Sequence, residues 1–467
     1  MIVWFTDIKK TFSPEVNDMN TLSTKETIAL GLMTFALFLG AGNLIFPPAM
    51  GQAAGENVWV STLGFLITGV GLPLLAIIAI ARAGGNLQSL SNRVHPLFGV
   101  IFTLTMYLAI GPFFGIPRTG TVAYEIGAVP FLSPSVLTSS MPLFLYTVIF
   151  FGLTFWLALN PTKLVDRVGK LLTPILLLII TVLAVKGIVT PLGSIEGVAP
   201  AYEAAPFFKG FLDGYLTMDT IAALVFGIVI VSRITERGIT DKNVITSITV
   251  KAGLIAGTGL ALVYLALAYL GASSVSTLGM LDNGGAILSG TANELFGLLG
   301  TVLLAVVITV ACLTTSVGLV SACGEYFVKL MPKLSYPMIV AILCVFSLTM
   351  ANMGLAQLIS FSLPVLIAIY PIAIVLIVLS FLHKAFKGMP QVYGGALIGA
   401  GVVSIVDGLN ATSLQLGFIN SVYSYIPLFA EGVGWLLPAI IGAIIGYLYG
   451  ITKRNHTNEN SSYHNAS

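Results

Sequence analysis

The chain has 467 residues, of which 57% are hydrophobic and only 9% are charged, and its formal net charge is +2. A soluble domain carries about 25% charged residues, so this composition excludes an ordinary soluble fold. The near-neutral charge gives no reason to expect a nucleic-acid partner. The three cysteines fall inside apolar runs, with no spacing typical of a disulfide framework or a zinc site.

Apolar runs of membrane-spanning length recur along the chain. A spanning helix needs about 20 residues to cross a hydrocarbon core of about 30 Å. The runs are continuous rather than alternating, which favours helices over barrel strands. We predict an all-α polytopic membrane protein with about twelve transmembrane helices. The predicted spans are 27–53, 57–82, 97–128, 141–160, 169–190, 207–232, 250–272, 293–327, 335–353, 356–382, 391–409 and 431–451.

The distribution of basic residues predicts the orientation. Of the 21 Lys and Arg residues, Lys186 and Lys209 lie at span ends or loops on one side and Arg118 lies within span 3. All the others lie at span ends or loops on the opposite side, or in the terminal tails. Because cytoplasmic loops are enriched in Lys and Arg, both termini are expected in the cytoplasm, as tails 1–25 and 452–467, the second of them disordered.

The first predicted interruption of a helix lies in span 1, where Gly40, Gly42 and Asn43 precede Pro47 and Pro48. Glycine costs about 1 kcal/mol and proline about 3 kcal/mol against alanine inside a helix. A small-residue packing face would explain the glycines but not the asparagine or the prolines. An unwound stretch explains all of them, since its free N–H groups can hold a carboxylate and its free carbonyls a cation.

A second interruption is predicted in span 6, where Asp219 lies inside the apolar region beside Thr217 and Thr220. A buried acid needs a cavity, a cation or a substrate amine, although a structural acid at a helix end is the alternative. If 26–190 and 207–382 are two inverted five-helix repeats, followed by two extra helices in 391–451, spans 1 and 6 are equivalent. Two interrupted helices in equivalent positions indicate a transporter binding site.

Two further spans carry polar residues. In span 8, Thr314, Thr315 and Ser316 are consecutive; their hydroxyls can bond back to the preceding turn or serve as the oxygen ligands of a sodium ion. In span 3, Arg118 and Glu125 are seven residues apart and share a helix face. They are predicted to form either a structural ion pair or a gate.

Three strings then identify a resemblance that extends over nearly the whole chain. They are LGLMTFALFLGAGNLIFPP at 30–48, GPFFGIPRT at 111–119 and GYLTMD at 214–219. They closely resemble BrnQ-type branched-chain amino acid carriers, the family of leucine, isoleucine and valine:cation symporters. More distantly, the pattern is similar to the leucine-transporter fold.

The resemblance implies a set of binding residues. Backbone at Gly40, Ala41 and Gly42 would hold the substrate carboxylate. Span 6 departs from the pattern of the fold, so the atoms that hold the amine stay open among Thr217, Met218 and Asp219. The residues that would ligate sodium are Asn43 at a site shared with substrate, and Ala311, Thr314 and Thr315 with the carbonyls of Ala36 and Leu39 at a second site.

The resemblance implies sodium-coupled import of leucine, isoleucine and valine by alternating access across the cytoplasmic membrane of a bacterium. Sodium would be the coupling ion, with no other cofactor and no obligatory protein partner. The rival within transport is proton coupling, with Asp219 or Glu125 as the proton site. A membrane enzyme would be expected to cluster His, Asp or Glu near one interface, and a channel to show a continuous polar stripe. Neither pattern occurs in the sequence.

Overall fold

The structure, a computed structural model, describes the backbone of residues 22–159, 164–412, 414 and 417–464. Side chains are described for 22–159, 174–412, 414 and 417–454. Over these ranges the chain forms helices joined by turns, and no strand occurs in them. The fold class is therefore all-α, as the continuous apolar runs predict. Of the predicted N-terminal tail, residues 1–21 lie outside the description.

The α-helices of the described residues are numbered here in chain order. They are α1 Thr24–Phe38, α2 Ala41–Ala54, α3 Val58–Leu66, α4 Leu72–Arg82, α5 Leu87–Ser91, α6 Pro96–Leu108, α7 Gly115–Gly127, α8 Pro134–Leu137, α9 Met141–Ala158, α10 Leu164–Val189, α11 Pro206–Asp213, α12 Asp219–Thr235, α13 Lys242–Leu278, α14 Gly284–Leu330, α15 Tyr336–Ala351, α16 Leu355–Leu382, α17 Pro390–Asn410, α18 Gly417–Tyr423 and α19 Leu436–His464.

Fewer than twelve uninterrupted helices of membrane-spanning length occur in the described ranges. Within the described ranges, eight helical runs are long and apolar enough to cross a membrane, or nine if α11 and α12 count as one bent span. Interruptions and short helices account for much of the difference. α1 has 15 residues and α15 has 16, and the run Ala41–Arg82 counts once although the turn at Gly55, with φ 50°, divides it into the second part of predicted span 1 and span 2.

The last helix is longer than the sequence predicts. α19 continues to His464, although the tail from residue 452 is expected to be disordered. No glycine or proline lies between Ile451 and His464 to end the helix.

The helices of spans 1 and 6 are interrupted, as predicted. α1 ends at Phe38 and α2 begins at Ala41, with Gly40 in an extended conformation. α11 and α12 are separated by a 3-10 turn and bend by 43°. The break in span 1 is shorter than expected, because Gly42, Asn43 and both prolines lie inside α2. Pro47 and Pro48 lack the N–H groups that would pair the carbonyls of Asn43 and Leu44.

Backbone-to-backbone packing fixes α2 against its neighbours. A Cβ added to Gly51 would lie 2.0 Å from the Ala268 carbonyl oxygen of α13, and one added to Gly271 would lie 2.0 Å from the Pro48 carbonyl oxygen. A Cβ at Gly284 of α14 would lie 1.8 Å from the Ile45 carbonyl oxygen. Close packing of small residues is therefore real in this region, alongside the helix break.

We expect Gly51→Ala to lower the melting temperature of the purified protein markedly. The added methyl group meets rigid backbone, and overpacking of this kind costs about 1–3 kcal/mol or more. Gly394→Ala in α17 is the matched control, since nothing lies within 4 Å of its added Cβ and alanine favours a helix. A Gly51→Ala variant that melts with the control would contradict the close contact between α2 and α13.

Candidate functional site

The break in span 1 presents the start of α2 to the protein interior. The Gly40 N–H donates to Asn43 Oδ1 at 3.0 Å, so Asn43 reaches back over the first turn of α2. The first N–H groups of a helix have no partner within it, and they carry partial positive charge. The backbone N–H groups of Ala41 and Gly42 therefore offer donors suited to a carboxylate, whereas the Gly40 N–H is already paired with Asn43 Oδ1.

The break in span 6 lies directly beside the break in span 1. A Cβ added to Gly42 would lie 3.3 Å from the Thr217 carbonyl oxygen. Met218 adopts a left-handed conformation with φ 64°, which is rare for a residue with a side chain. Asp219 then begins α12. Two helix N-termini thus meet inside the protein, as expected if the two breaks form one site.

A buried hydrogen-bond network joins the two breaks. Asn43 Nδ2 donates to Asp219 Oδ2 at 2.6 Å, and the Tyr264 hydroxyl of α13 donates to the same oxygen at 2.6 Å. Asn43 also contacts the Tyr264 hydroxyl within hydrogen-bonding distance. All three side chains are at most 2% exposed. Asp219 is therefore held by two neutral donors and forms none of the ion pairs found among the described side chains.

Arg118 lies at the same junction, and its predicted ion pair with Glu125 is wrong. Arg118 Nη1 donates to the Leu216 carbonyl oxygen at 2.5 Å, and Nη2 donates to Ser362 Oγ at 3.3 Å. Glu125 instead accepts from Asn283 Nδ2 at 3.4 Å. Seven residues of helix advance about 10 Å, which takes Glu125 toward the C-terminal end of α7 and leaves Arg118 at the breaks. The gate hypothesis stays a prediction.

The expected second sodium site lies where α14 passes the break in span 1. A Cβ added to Gly40 would lie 3.5 Å from Thr315 Cγ2. The hydroxyls of Thr314 and Thr315 donate to the Ala311 carbonyl oxygen at 2.9 and 3.0 Å, which is the back-bonded alternative. Both hydroxyl oxygens keep lone pairs, so the donor set fits a hard cation. On the facing helix, Leu39 is buried and Ala36 is half-buried.

Sequence reasoning missed Tyr264 and Thr68. Tyr264 gives only a weak signal, a single phenol in an apolar span. Thr68 lies in a π-helical segment, Ile67–Gly71, between α3 and α4. Its hydroxyl donates to the Phe211 carbonyl oxygen at 2.7 Å, and its own carbonyl accepts from Thr220 Oγ1 at 3.3 Å. Thr68 therefore connects span 2 to both halves of span 6.

Comparison with known proteins places this arrangement in a family. Residues 23–453 match the family described as branched-chain amino acid transport protein. The chain is 53% identical over 433 residues to the branched-chain amino acid permease BraB of Bacillus subtilis (strain 168), covering 92% of this chain and 96% of that protein. It is 44% identical over 428 residues to the permease BrnQ of Escherichia coli (strain K12), with 92% and 96% covered.

Solved structures share the fold at low sequence identity. The inward-facing conformation of Mhp1 matches with a TM-score of 0.60 and 15% identity, over 94% of each chain. MhsT in complex with L-phenylalanine matches with a TM-score of 0.51 and 17% identity, over 93% of this chain and 99% of MhsT. Both likenesses concern the fold alone.

The family match, the multi-pass apolar helices and the two helix interruptions agree with one another and with the predicted resemblance. The chain is a transport protein rather than an enzyme, and it belongs to the family of branched-chain amino acid transport proteins.

Proposed function

We propose that the protein imports leucine, isoleucine and valine with sodium, by alternating access across the cytoplasmic membrane. The named activity of the relatives supports the substrate class. The meeting of two helix N-termini at the Asn43–Asp219 hydrogen bond carries the proposal structurally. Such interrupted helices grip charged solutes at membrane depth, where intact helices offer no free backbone groups.

In this proposal the substrate lies at the junction of the two breaks. Its carboxylate accepts from the N–H groups of Ala41 and Gly42 at the start of α2, beside Gly40, whose own N–H donates to Asn43 Oδ1. Its ammonium faces span 6, where Thr217 and Met218 form the break and Asp219 carries the negative charge. An apolar pocket discriminates one methylene by only about 1–3 kcal/mol, so the three branched substrates should compete with one another.

Sodium is proposed to bind at two places. Asn43 supplies an amide oxygen next to the substrate, and the second site uses Ala311, Thr314 and Thr315 with the carbonyls of Ala36 and Leu39. An ion there would bridge α14 and the end of α1, which lie within contact of each other near Gly40. Binding would favour the outward-open state, and loss of the ion inside would release the substrate.

The contacts of span 2 support a bundle of spans 1, 2, 6 and 7 that moves as one unit. Thr68 bonds to both halves of span 6, and Gly51 of α2 packs on Ala268 of α13. These contacts couple the four spans to one another. The orientation with both termini in the cytoplasm is part of the same proposal and follows from the positions of Lys and Arg.

The double variant Thr314→Ala/Thr315→Ala is expected to raise the sodium concentration for half-maximal leucine uptake by about 10-fold or more. Two charge-assisted oxygen contacts are lost, each worth about 1.5–3 kcal/mol. Uptake into proteoliposomes at varied sodium measures this value. Thr258→Ala is the matched control, because Thr258 also bonds back to the preceding turn but is exposed on α13. An unchanged sodium dependence would remove the second site.

Replacing sodium tests the coupling directly. Labelled leucine uptake into proteoliposomes is compared in sodium and in choline at fixed pH, with each amino acid as competitor. We expect uptake to require sodium, and isoleucine and valine to compete. Uptake that is unchanged in choline would defeat the sodium proposal. The buried Asp219, bonded to the Tyr264 hydroxyl, would then favour the second candidate, a proton-coupled carrier.

A further inference from the structure

Arg118 touches both interrupted helices at their breaks. It donates to the Leu216 carbonyl oxygen in the break of span 6, and its guanidinium lies 5.0 Å from the centre of the Phe46 ring of α2. A Cβ added to Gly42 would lie 3.4 Å from Arg118 Nη1. The guanidinium therefore lies beside the first turn of α2, where the substrate carboxylate is proposed to bind.

The charge of Arg118 is buried without a carboxylate partner. The residue is 2% exposed, and its hydrogen bonds go to a carbonyl and to the Ser362 hydroxyl. Its Nε–H is buried with no hydrogen-bond partner. A guanidinium offers five donors that match a carboxylate, and a buried charge without a counter-ion is costly. An anion from outside the chain would complete this arrangement.

Asp219, at the same junction, likewise forms no ion pair with a residue of opposite charge. It is 2% exposed and its hydrogen-bond partners are the neutral side chains of Asn43 and Tyr264. Arg118 and Asp219 do not pair with each other, since the ion pairs among the described side chains are Lys209–Asp213, Arg233–Glu236 and Arg237–Glu26. Two buried residues of opposite charge thus lie at one junction without a direct ion pair, an arrangement suited to a zwitterionic ligand.

We propose that Arg118 binds the α-carboxylate of the transported amino acid, beside the N-terminus of α2, while Asp219 faces the ammonium group. This inference rests on the proposed function and names the side chain that selects for a free carboxylate. Arg118 is then a binding residue rather than a residue that only connects the two helix breaks.

A comparison of ligands tests the assignment. The assay measures displacement of labelled leucine from the purified full-length protein at saturating sodium. The two competing ligands are L-leucine and L-leucinamide. L-Leucinamide keeps the ammonium group but lacks the carboxylate. The wild type should prefer leucine by about 10- to 100-fold, the range for hydrogen bonds to a charged group. Arg118→Gln should lower this preference by about 10-fold or more while changing leucinamide binding little. Arg82→Gln is the control, because Arg82 is exposed and packs on Phe381.

Each contrary outcome has a distinct meaning. If Arg118→Gln weakens the binding of leucine and leucinamide equally, so that the ratio of their affinities is unchanged, Arg118 has only a structural role and the inference fails. If that variant does not fold, Arg118→Lys should keep most of the preference, since it keeps the charge; equal binding of both ligands to it overturns the inference. Wild-type binding of leucinamide within about threefold of leucine overturns it without any variant. Failure of the wild type to bind leucine would instead reject the proposed function.

Discussion

Asn43→Leu is expected to reduce leucine uptake by about 100-fold or more while leaving the protein folded. Leucine has a similar volume, but it neither accepts from the Gly40 N–H nor donates to Asp219. The change removes the bridge between the two breaks and the proposed sodium ligand at once. A loss of about 2.7 kcal/mol corresponds to 100-fold in rate, and a hydrogen bond to a charged group contributes about 1.5–3 kcal/mol.

The same substitution at Asn352 is the matched control. Asn352 follows α15, where its amide donates to Thr147 Oγ1 at 3.0 Å and to the Leu348 carbonyl oxygen at 2.8 Å, away from both breaks. Asn352→Leu should keep most of the uptake. Amount of purified protein and melting temperature are measured for both variants. Wild-type uptake by a well-folded Asn43→Leu variant would refute the role of Asn43.

Asp219→Asn is expected to lose about 100-fold or more in both net uptake and leucine exchange. The amide keeps the shape of the side chain but removes the negative charge proposed to face the ammonium group or a cation. Exchange is measured as the entry of labelled leucine into proteoliposomes loaded with unlabelled leucine. The magnitude is that of a lost interaction between buried charged groups, about 2–5 kcal/mol.

Exchange separates the two coupling hypotheses. In a proton-coupled carrier, asparagine would mimic the protonated acid, so exchange would persist while uphill uptake was lost. Retained exchange would therefore contradict the proposed role of the Asp219 charge. Asp241→Asn is the control, because Asp241 caps α13 through hydrogen bonds of 2.9 Å to the N–H groups of Asn243 and Val244, and asparagine caps helices equally well.

The positions of the two helix breaks were predictable because their causes are local. Glycine, asparagine and proline inside an apolar run raise the free energy of a helix whatever surrounds them. The limits of the break were less predictable. Asn43 lies inside α2 because its side chain accepts from the Gly40 N–H, an interaction that composition alone does not indicate.

The number of spans was harder to predict than the fold class. An apolar run indicates that a segment avoids water, which is sufficient to predict a helix in a membrane. It does not indicate where that helix is interrupted or bent. Thus the helical run Ala41–Arg82 is divided by a turn at Gly55, with φ 50°, where the sequence predicts a loop between two spans.

The hydrogen-bond partners of the buried charged residues were determined by how the helices pack against one another. Asn43 and Asp219 are 176 positions apart, and Arg118 and Ser362 are 244 positions apart. The sequence placed Arg118 and Asp219 in apolar spans and so marked them as functional. It paired Arg118 with Glu125 because they share one helix face, but the neighbouring helices supplied nearer partners. Helix propensity and burial depend on adjacent residues, whereas contacts between spans depend on how whole helices pack.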